Sequence, residues 1–356
     1  MRKIAILLAS VMCCVSAFSG AVIKWNTTDY DFGAFNESDG PATAEFVYYN
    51  VGDEPLVITG ARANCGCTTP KYTAEILQPG DSATLSVTYD PGGRPGRFVK
   101  NVFVDTNSEQ GRSVLAIRGV VVGSPETLNA RFPVIVGPMR LAHPAALLGA
   151  IERGKVKAVF ESFYNASTDT ISPVTISTPK WLDVRTVPEQ VPPGEQGSFR
   201  FLINSEDIPD WAMVTDSITV KPNPDSRIAY RMPVVVTVNE DFKKMSDEEL
   251  ANAPVAVIDK ERLDPVTMSG NSATATFTIT NDGRSPLKIR RLYSITQGVT
   301  TDVKPNESLK PGKSRLVKVT IPASCLDKKD ATSVVLTLMT NTPGKPRTNI
   351  TIPVVK

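Results

Sequence analysis

Apolar and polar side chains alternate in short segments along most of this chain. In residues 83–89, Ala-Thr-Leu-Ser-Val-Thr-Tyr, every second side chain is apolar, which is typical of a strand with one buried face. Residues 44–49 and 275–280 alternate in the same way. The 28 prolines and 23 glycines separate such segments, and valine and threonine are abundant within them. The pattern therefore predicts an all-β fold built from many short strands.

Three turn markers recur in the same order and at nearly constant spacing. An asparagine ends a strand-like segment, a Pro-Gly turn follows it, and a second asparagine comes later. The markers are Asn50, Asn165 and Asn281; Pro79-Gly80, Pro193-Gly194 and Pro311-Gly312; and Asn107, Asn223 and Asn341. A repeat of this length indicates three copies of one domain with the size of a small β-sandwich. We therefore expect three tandem immunoglobulin-like β-sandwich domains.

Polar or proline-containing stretches mark the joins between the copies. Gly123-Ser124-Pro125 ends the first copy, and a polar stretch follows Asn239. In that stretch Ser246 and Glu249 have the spacing of a capping box, which predicts a short linker helix. The expected boundaries are residues 22–124 for the first copy, 125–239 for the second and 240–356 for the third.

One segment of the second copy has some helical character, at residues 141–151. Its Leu148-Gly149-Ala150 element aligns with Phe32-Gly33-Ala34 of the first copy. We therefore predict that it leads into a strand.

The first 21 residues are expected to be a secretory signal. Two basic residues precede an apolar stretch, residues 4–15, that is too short to span a bilayer, and small residues suited to cleavage precede Ala17 and Ala21. Cys13 and Cys14 lack the small preceding residues of a lipidation site. We therefore expect a soluble exported protein of the periplasm or cell surface, neither a lipoprotein nor an integral membrane protein.

Charge and residue inventory argue against several classes of function. With 39 basic and 37 acidic residues, the chain lacks the basic excess that neutralises phosphates, so nucleic acid is not an expected partner. With one histidine, His143, there is no basis for triad hydrolysis, and no glycine-rich phosphate loop or glycosidase acid pair stands out. We therefore expect no enzymatic activity, and no small-molecule ligand is indicated.

The Cys65-Gly66-Cys67 motif is the one cluster with suggestive chemistry. In an extended strand these cysteines would share a face but lie too far apart to bond, whereas Gly66 permits a bend that brings them together. A disulfide or a thiolate pair that binds Cu(I) would then be possible, and so would two buried apolar residues at a bend. Zinc needs more ligands than the chain offers. A thioredoxin-like activity is not expected, because that motif has two residues between its cysteines.

The remaining candidate residues are expected to be structural. His143 is predicted to lie at a surface or between domains, and Cys325 to pack in or near the third core. Trp25, Trp181 and Trp211 could stack on sugars, but sandwich domains usually bury such rings.

The order of motifs in the first copy resembles a known family. These motifs are Asp31-Phe32-Gly33, Asn50-Val51-Gly52, Pro55-Leu56-Val57-Ile58, Cys65-Gly66-Cys67-Thr68-Thr69-Pro70, Leu77-Gln78-Pro79-Gly80, Pro95-Gly96-Arg97-Phe98 and Thr106-Asn107. Together they resemble the DUF1573 domain, a family of exported immunoglobulin-like domains frequent in Bacteroidetes. The resemblance covers residues 22–122, and the later copies share its turns but not its cysteines. It implies the fold and export, and it implies no activity, because none is established for the family.

The sequence is best explained as a non-enzymatic exported interaction or scaffold module of the cell envelope. Tandem sandwiches display sheet edges and loops, and an exposed edge can bind a peptide segment by strand addition. The expected partner is an envelope protein. Two alternatives stay open: a Cu(I)-binding or redox protein that uses Cys65 and Cys67, and a carbohydrate-binding module.

Overall fold

The computed structural model of the protein describes residues 20–325 and 333–355. Apart from Gly20 and Ala21, the predicted signal segment lies outside these residues, so its assignment stays a prediction. The described residues form many strands and only two short α-helices. The predicted all-β, immunoglobulin-like fold class is confirmed.

The elements follow the predicted alternation closely. In the first copy the strands are β1 (Ile23–Trp25), β2 (Asp29–Asn36), β3 (Ala42–Asn50), β4 (Ile58–Ala63), β5 (Thr68–Lys71), β6 (Ser82–Tyr89), β7 (Gly96–Thr106) and β8 (Arg112–Val122). The second copy contains α1 (Pro125–Leu128), β9 (Val134–Val136), β10 (Met139–Leu141), β11 (Ala146–Glu152), β12 (Val156–Asn165), β13 (Val174–Ser177), β14 (Leu182–Val187), β15 (Gln196–Asn204), β16 (Ala212–Lys221) and β17 (Tyr230–Asn239). The third contains α2 (Asp247–Ala251), β18 (Ala256–Ile258), β19 (Val266–Thr267), β20 (Ser272–Asn281), β21 (Leu287–Ser294), β22 (Thr300–Thr301), β23 (Glu307–Leu309), β24 (Ser314–Pro322), β25 (Ser333–Thr340) and β26 (Arg347–Val355).

Two four-stranded sheets enclose the core of the first copy. Their strand orders are β1-β3-β6-β5 and β2-β8-β7-β4. Every second residue of β3 and β6 points inward, so Phe46, Leu85 and Tyr89 are almost completely buried, as the alternation predicts. The Tyr89 ring stacks on Phe98 of β7 at a centroid distance of 3.9 Å, which joins the two sheets.

The third copy has the same arrangement. Its sheets run β18-β20-β24-β22 and β19-β26-β25-β21-β23. Phe277, Val317 and Leu336 are among the buried residues between them. Near the start of this copy, the capping box predicted at Ser246 and Glu249 is present at the N-terminus of α2.

The contacts of the chain fall into two compact units whose boundaries run through the second copy. Among the described residues, one unit contains 20–142, 162–172 and 188–197, and the other contains 143–161, 173–187, 198–325 and 333–355. In the first unit β10 pairs with β9 and with the end of β12. In the second unit β14 pairs with β15, and a sheet runs β11-β17-β16-β13. The predicted boundaries after residues 124 and 239 stay predictions.

In each copy an early strand pairs in parallel with the last strand. The pairs are β2 with β8, β11 with β17, and β19 with β26. The first two pairs shift register beside Gly33 and Gly149, whose φ values of 67° and 74° suit glycine. The prediction that residues 148–150 lead into a strand is therefore confirmed.

The recurring asparagines make one set of hydrogen bonds in all three copies. The amide group of Asn281 donates to the carbonyl oxygens of Ser285 and Leu309, and its Oδ1 accepts from the N–H of Gly283. Its backbone carbonyl accepts from Gly312, the glycine of the Pro-Gly turn. Asn50 and Asn165 make the equivalent bonds, and all three are fully buried. We call this set the asparagine bracket; it ties the end of one strand to the turn before the next.

A carboxylate organises the start of α1 in the first unit. Glu37 accepts hydrogen bonds from the backbone N–H groups of Gly93 and Ser124, at 2.6 and 2.8 Å, and from the Thr127 hydroxyl at 2.9 Å. Burial by itself would raise the pKa of Glu37, but these hydrogen bonds lower the pKa below its ordinary value of 4.5. The ionised form therefore stabilises the fold.

We expect this stabilisation to disappear in acid. Because the pKa of Glu37 is lowered by folding, its contribution is present above the ordinary pKa of 4.5 and is lost as the pH falls through the folded value. Glu37→Gln should therefore cost about 1 kcal/mol of stability at pH 7 and nothing at low pH. Urea unfolding across this pH range measures the difference, with Glu45→Gln, at an exposed position of β3, as the control. A pH-independent cost would refute the assignment.

Candidate functional site

The Cys65-Gly66-Cys67 motif forms a turn between two sheets. It follows β4 of one sheet and precedes β5 of the other, so the chain crosses from sheet to sheet at this point. The sulfur atoms of Cys65 and Cys67 are joined at 2.18 Å, with their α-carbons 5.4 Å apart. The residues are in a turn, not in an extended strand, and this is the bend that Gly66 permits.

The two sulfur atoms lie in different surroundings. Cys67 is only 8% exposed and belongs to the core of the first copy, whereas Cys65 is half-buried at its margin. The hydroxyl oxygen of the buried residue Thr68 lies 3.5 Å from the Cys65 sulfur and 3.7 Å from the Cys67 sulfur. An external molecule therefore meets Cys65 first, and one hydroxyl group can donate to either sulfur.

Backbone hydrogen bonds hold this turn independently of its sulfur atoms. The carbonyl oxygen of Cys65 accepts from the N–H of Thr68, and the carbonyl oxygen of Cys67 accepts from the N–H of Asp90. Within the described residues no group of three or more histidine, cysteine or acidic side chains is placed to hold a metal ion. The two-thiolate Cu(I) hypothesis involves a smaller donor set and stays a prediction for the reduced form.

His143 and Cys325 lie away from that turn in the sequence. His143 is exposed, as predicted for a surface residue, and its Nδ1 contacts the Glu161 carboxylate of β12. This partner comes from a strand 18 residues further along the chain, so the residues around His143 do not indicate it. Cys325 is a half-buried free cysteine whose thiol donates to the carbonyl oxygen of Gln297, so it lies beside a turn and is not one of the buried residues of the third core.

The tryptophans have three different environments. Trp25 packs against Tyr48 of the first core, and Trp181 is buried. Trp211 is half-buried, and the guanidinium carbons of Arg153 and Arg290 lie 4.5 and 4.4 Å from its ring centroid. A ring covered by two cations is not free to stack on a sugar.

We call Trp211, Arg153 and Arg290 the Trp211 cluster. Further charged groups hold this cluster in place in the second unit. Arg290 makes two 2.7 Å hydrogen bonds to the Glu240 carboxylate, and these side chains are only 14% and 19% exposed. Arg291 donates to the carbonyl oxygens of Trp211 and Met213. Buried, bidentate pairs of this kind fix geometry as well as charge.

The backbone after Trp211 is strained. Ala212 is fully buried and has a φ of +60°, a left-handed conformation that costs a residue with a β-carbon about 1–2 kcal/mol. Such a conformation persists only where the surroundings determine it. The arginine contacts on both sides of Ala212 supply that constraint.

An apolar surface lies on β12 and β15 in the second unit. Val156 and Phe160 are 65% and 58% exposed, Leu202 is 37% exposed, and Ala158 is exposed between the first two. These four residues alternate with inward-pointing ones, so they share the outer face of the sheet. We call them the apolar face.

The other two copies have polar residues at the equivalent positions. The copies can be aligned on their bracket asparagines and Pro-Gly turns. In this alignment the first copy has Thr43, Glu45 and Thr88 at the positions of Ala158, Phe160 and Leu202. The third copy has Thr274, Thr276 and Thr320 there. Threonine and glutamate are ordinary for a solvated sheet face, whereas clustered apolar side chains mark interaction surfaces. At these three positions, exposed apolar side chains are therefore a property of the second copy alone.

Two arginines border the apolar face. Arg200 of β15 lies directly opposite Arg185 of β14, and like charges in that position repel. Asp183 contacts Arg185 at 3.3 Å, so one carboxylate accompanies two guanidinium groups. The Nε atom of Arg200 is buried and has no hydrogen-bond partner among the described residues. This border can accept an acidic group.

These features define an all-β protein of immunoglobulin-like sandwiches with a disulfide-containing turn. The chain belongs to the family described as a protein of unknown function, DUF1573, whose model matches residues 23–121 and 257–354. The match confirms the resemblance seen in the first copy and extends it to the third, where the sequence analysis found only shared turns. None of the curated proteins compared with this chain matches it.

Solved structures show weak similarity to this chain. A protein of unknown function from Porphyromonas gingivalis W83 is 15% identical with a TM-score of 0.49, and the alignment covers 62% of this chain and all of that one. A three-immunoglobulin fragment of titin is 11% identical with a TM-score of 0.25, covering 95% and 99% of the two chains. An endo-fucoidan hydrolase of glycoside hydrolase family 107 is 14% identical with a TM-score of 0.28, covering 95% and 45%. Similarities of this size carry no argument about function.

The described part of the chain contains no helix that is both long and apolar enough to cross a membrane.

Proposed function

We propose that this protein is a non-enzymatic interaction module of the cell envelope, exported by its predicted signal segment. Its apolar face, Val156, Ala158, Phe160 and Leu202, binds an acidic extended segment of a partner protein. The observation that carries the proposal is that the second copy alone replaces threonine and glutamate with exposed apolar side chains.

The hydrophobic effect favours burial of the apolar face by a partner. Full burial of a phenylalanine or leucine side chain contributes about 1.5–3 kcal/mol. Phe160 and Leu202 are 58% and 37% exposed, so each can contribute the corresponding part of that energy to a binding site of moderate affinity. Anchors of this type usually lie at the centre of an interface and are surrounded by polar residues. Asp183, Arg185 and Arg200 provide such a border on one side.

The charge on this border favours an acidic partner over a second copy of this chain. In a two-fold symmetric dimer the same patch would face itself, which would bring further arginines towards Arg185 and Arg200. An acidic side chain would relieve the repulsion between these two residues and would pair with the guanidinium of Arg200, whose Nε atom has no partner among the described residues.

Selection from a display library of short linear peptides tests the proposal. With the full-length protein as bait, we expect enrichment of peptides that combine aspartate or glutamate with apolar residues. Phe160→Ser should weaken the selected peptides by about tenfold or more, which corresponds to about 1.4 kcal/mol. Arg200→Glu should weaken binding of the selected peptides similarly. This variant should instead bind peptides in which lysine replaces the acidic residue.

Thr276→Ser, at the equivalent position of the third copy, is the matched control and should leave binding unchanged. No enrichment, or peptides that bind Phe160→Ser and Arg200→Glu as well as the unmodified protein, would overturn the proposal. Sedimentation of the protein without peptide tests the other possible binding partner of the apolar face, which is a second copy of this chain. A dimer that Phe160→Ser abolishes would show that the apolar face binds a second copy instead.

A further inference from the structure

The third copy has a turn at the place of the Cys65–Cys67 turn, and that turn has no cross-link. Its residues 295–298 occupy the same place between β21 and β22 as residues 64–67 do between β4 and β5. Gly298, at the position of Cys67, has a φ of +90°, which Cys67 does not adopt. In the first copy the N–H of Thr68 donates to the carbonyl oxygen of Cys65 at 3.3 Å. In the third copy the N–H of Val299 donates to that of Thr296 at 3.4 Å. A turn at this place is therefore closed by the same backbone hydrogen bond in the third copy without a disulfide.

A disulfide at this position also contributes little through chain entropy. The stabilisation that a cross-link gives by restricting the unfolded chain grows with the number of residues in the closed loop. Here the loop encloses only Gly66. Structural disulfides of exported domains usually link distant segments, and this bond links residues that are already neighbours.

The surroundings of the two sulfur atoms suit exchange chemistry. Cys65 is half-buried and can be reached from solvent, whereas Cys67 is 8% exposed and is covered by the first core. The Thr68 hydroxyl is close to both sulfur atoms and can donate a hydrogen bond to a thiolate released at either one. A strand begins at Thr68, so this site differs from thiol sites that use the N-terminus of a helix.

We propose that the Cys65–Cys67 disulfide is a thiol–disulfide exchange site that accepts two electrons from an external dithiol. This goes beyond the binding function proposed above and involves different residues. A thiolate of the dithiol attacks the Cys65 sulfur, forming a mixed disulfide and breaking the Cys65–Cys67 bond. The electron pair of that bond leaves on Cys67, whose thiolate is stabilised by Thr68 and then takes a proton from water.

The second thiol of the external molecule completes the reaction. As a thiolate it attacks the sulfur of its own molecule in the mixed disulfide, which forms a cyclic disulfide and releases Cys65 as a thiolate that is then protonated. The protein gains two electrons and two protons, and the external dithiol is oxidised to a disulfide. The folded protein supplies the position and the accessible sulfur, and the dithiol is the reductant.

Reduction of the folded protein by dithiothreitol is the first test. We use the exported protein, from which the predicted signal segment with Cys13 and Cys14 has been cleaved, in a Cys325→Ser background. This substitution removes the free cysteine of the described residues. We expect complete reduction without denaturant, measured as intact mass after alkylation. The reduced protein should keep its circular dichroism spectrum and lose at most a few degrees of melting temperature. A disulfide that resists dithiothreitol until the protein unfolds, or a reduced protein that unfolds, would show that the bond is structural and would overturn the proposal.

Single cysteine variants test the predicted order of attack. In the same background, Cys67→Ser leaves Cys65 to form a mixed disulfide with oxidised glutathione, and Cys65→Ser leaves only Cys67. We expect Cys65 to react about tenfold faster or more, because accessibility controls thiol reactivity. Thr68→Val should slow reduction of the disulfide while leaving the fold intact. Equal rates for the two cysteines, or no effect of Thr68→Val, would overturn the assigned roles.

Discussion

Asn281→Ala is expected to lower the free energy of unfolding of the third copy by about 2–4 kcal/mol. The side chain is fully buried and donates to the carbonyl oxygens of Ser285 and Leu309. Alanine would remove both donors and the acceptor of the Gly283 N–H group. A buried polar group that loses its partner costs about 1–3 kcal/mol. Urea unfolding followed by far-UV circular dichroism measures the loss.

Asn349→Ala provides the matched control. Asn349 lies exposed on β26, where its oxygen is 3.1 Å from the Thr337 hydroxyl, and its replacement should change stability by no more than about 0.5 kcal/mol. Asn281→Asp adds a sharper comparison. At neutral pH its carboxylate would place an oxygen against the carbonyl oxygens of Ser285 and Leu309, so it should destabilise at least as much as alanine. Equal losses for Asn281→Ala and Asn349→Ala would contradict the role of the bracket.

The second large effect is expected at Trp211. Trp211→Ala should lower the stability of the second unit by about 3 kcal/mol, because it removes a large half-buried ring and two cation–π contacts. It should also loosen the Arg290–Glu240 pair, which lies against the same ring. Urea unfolding measures the change in stability. Circular dichroism is the signal, because the substitution itself removes a fluorescent tryptophan.

Two variants make the Trp211 result specific. Phe160→Ala removes another large aromatic ring, but that ring is 58% exposed, so stability should change by only about 0.5 kcal/mol. Trp211→Phe keeps a smaller ring between the arginines and should show an intermediate loss. If Trp211→Ala costs no more than Phe160→Ala, the arginine contacts do not stabilise this unit.

The bracket asparagines show how far a sequence repeat can be interpreted. Their spacing identified the repeat, and the alternation around them placed β3, β6 and β20 close to their observed positions. The spacing did not say what the asparagines do. Their partners lie on a turn that is distant in sequence, and only the folded chain brings the Asn281 amide to the carbonyl oxygen of Leu309.

The apolar face and the Trp211 cluster were not visible in the sequence for related reasons. Alternation places Phe160 on one face of β12, but it does not say whether another part of the chain covers that face. Arg153 and Arg290 are far from Trp211 in sequence, and no periodic pattern connects them. The comparison between equivalent positions of the copies could have identified Phe160, because Glu45 and Thr276 occupy its place elsewhere.

The sequence by itself determined the all-β class, the repeated turns, the family and the importance of the Cys65-Gly66-Cys67 motif, because these depend on local pattern and residue type. Tertiary structure decided that Cys65 and Cys67 meet in a turn between two sheets, that the apolar face stays exposed, and that two arginines cover Trp211. Each of these depends on which distant segments come into contact. Alternation and turn residues define the elements, whereas packing between the elements decides which side chains are buried, paired or left open to a partner.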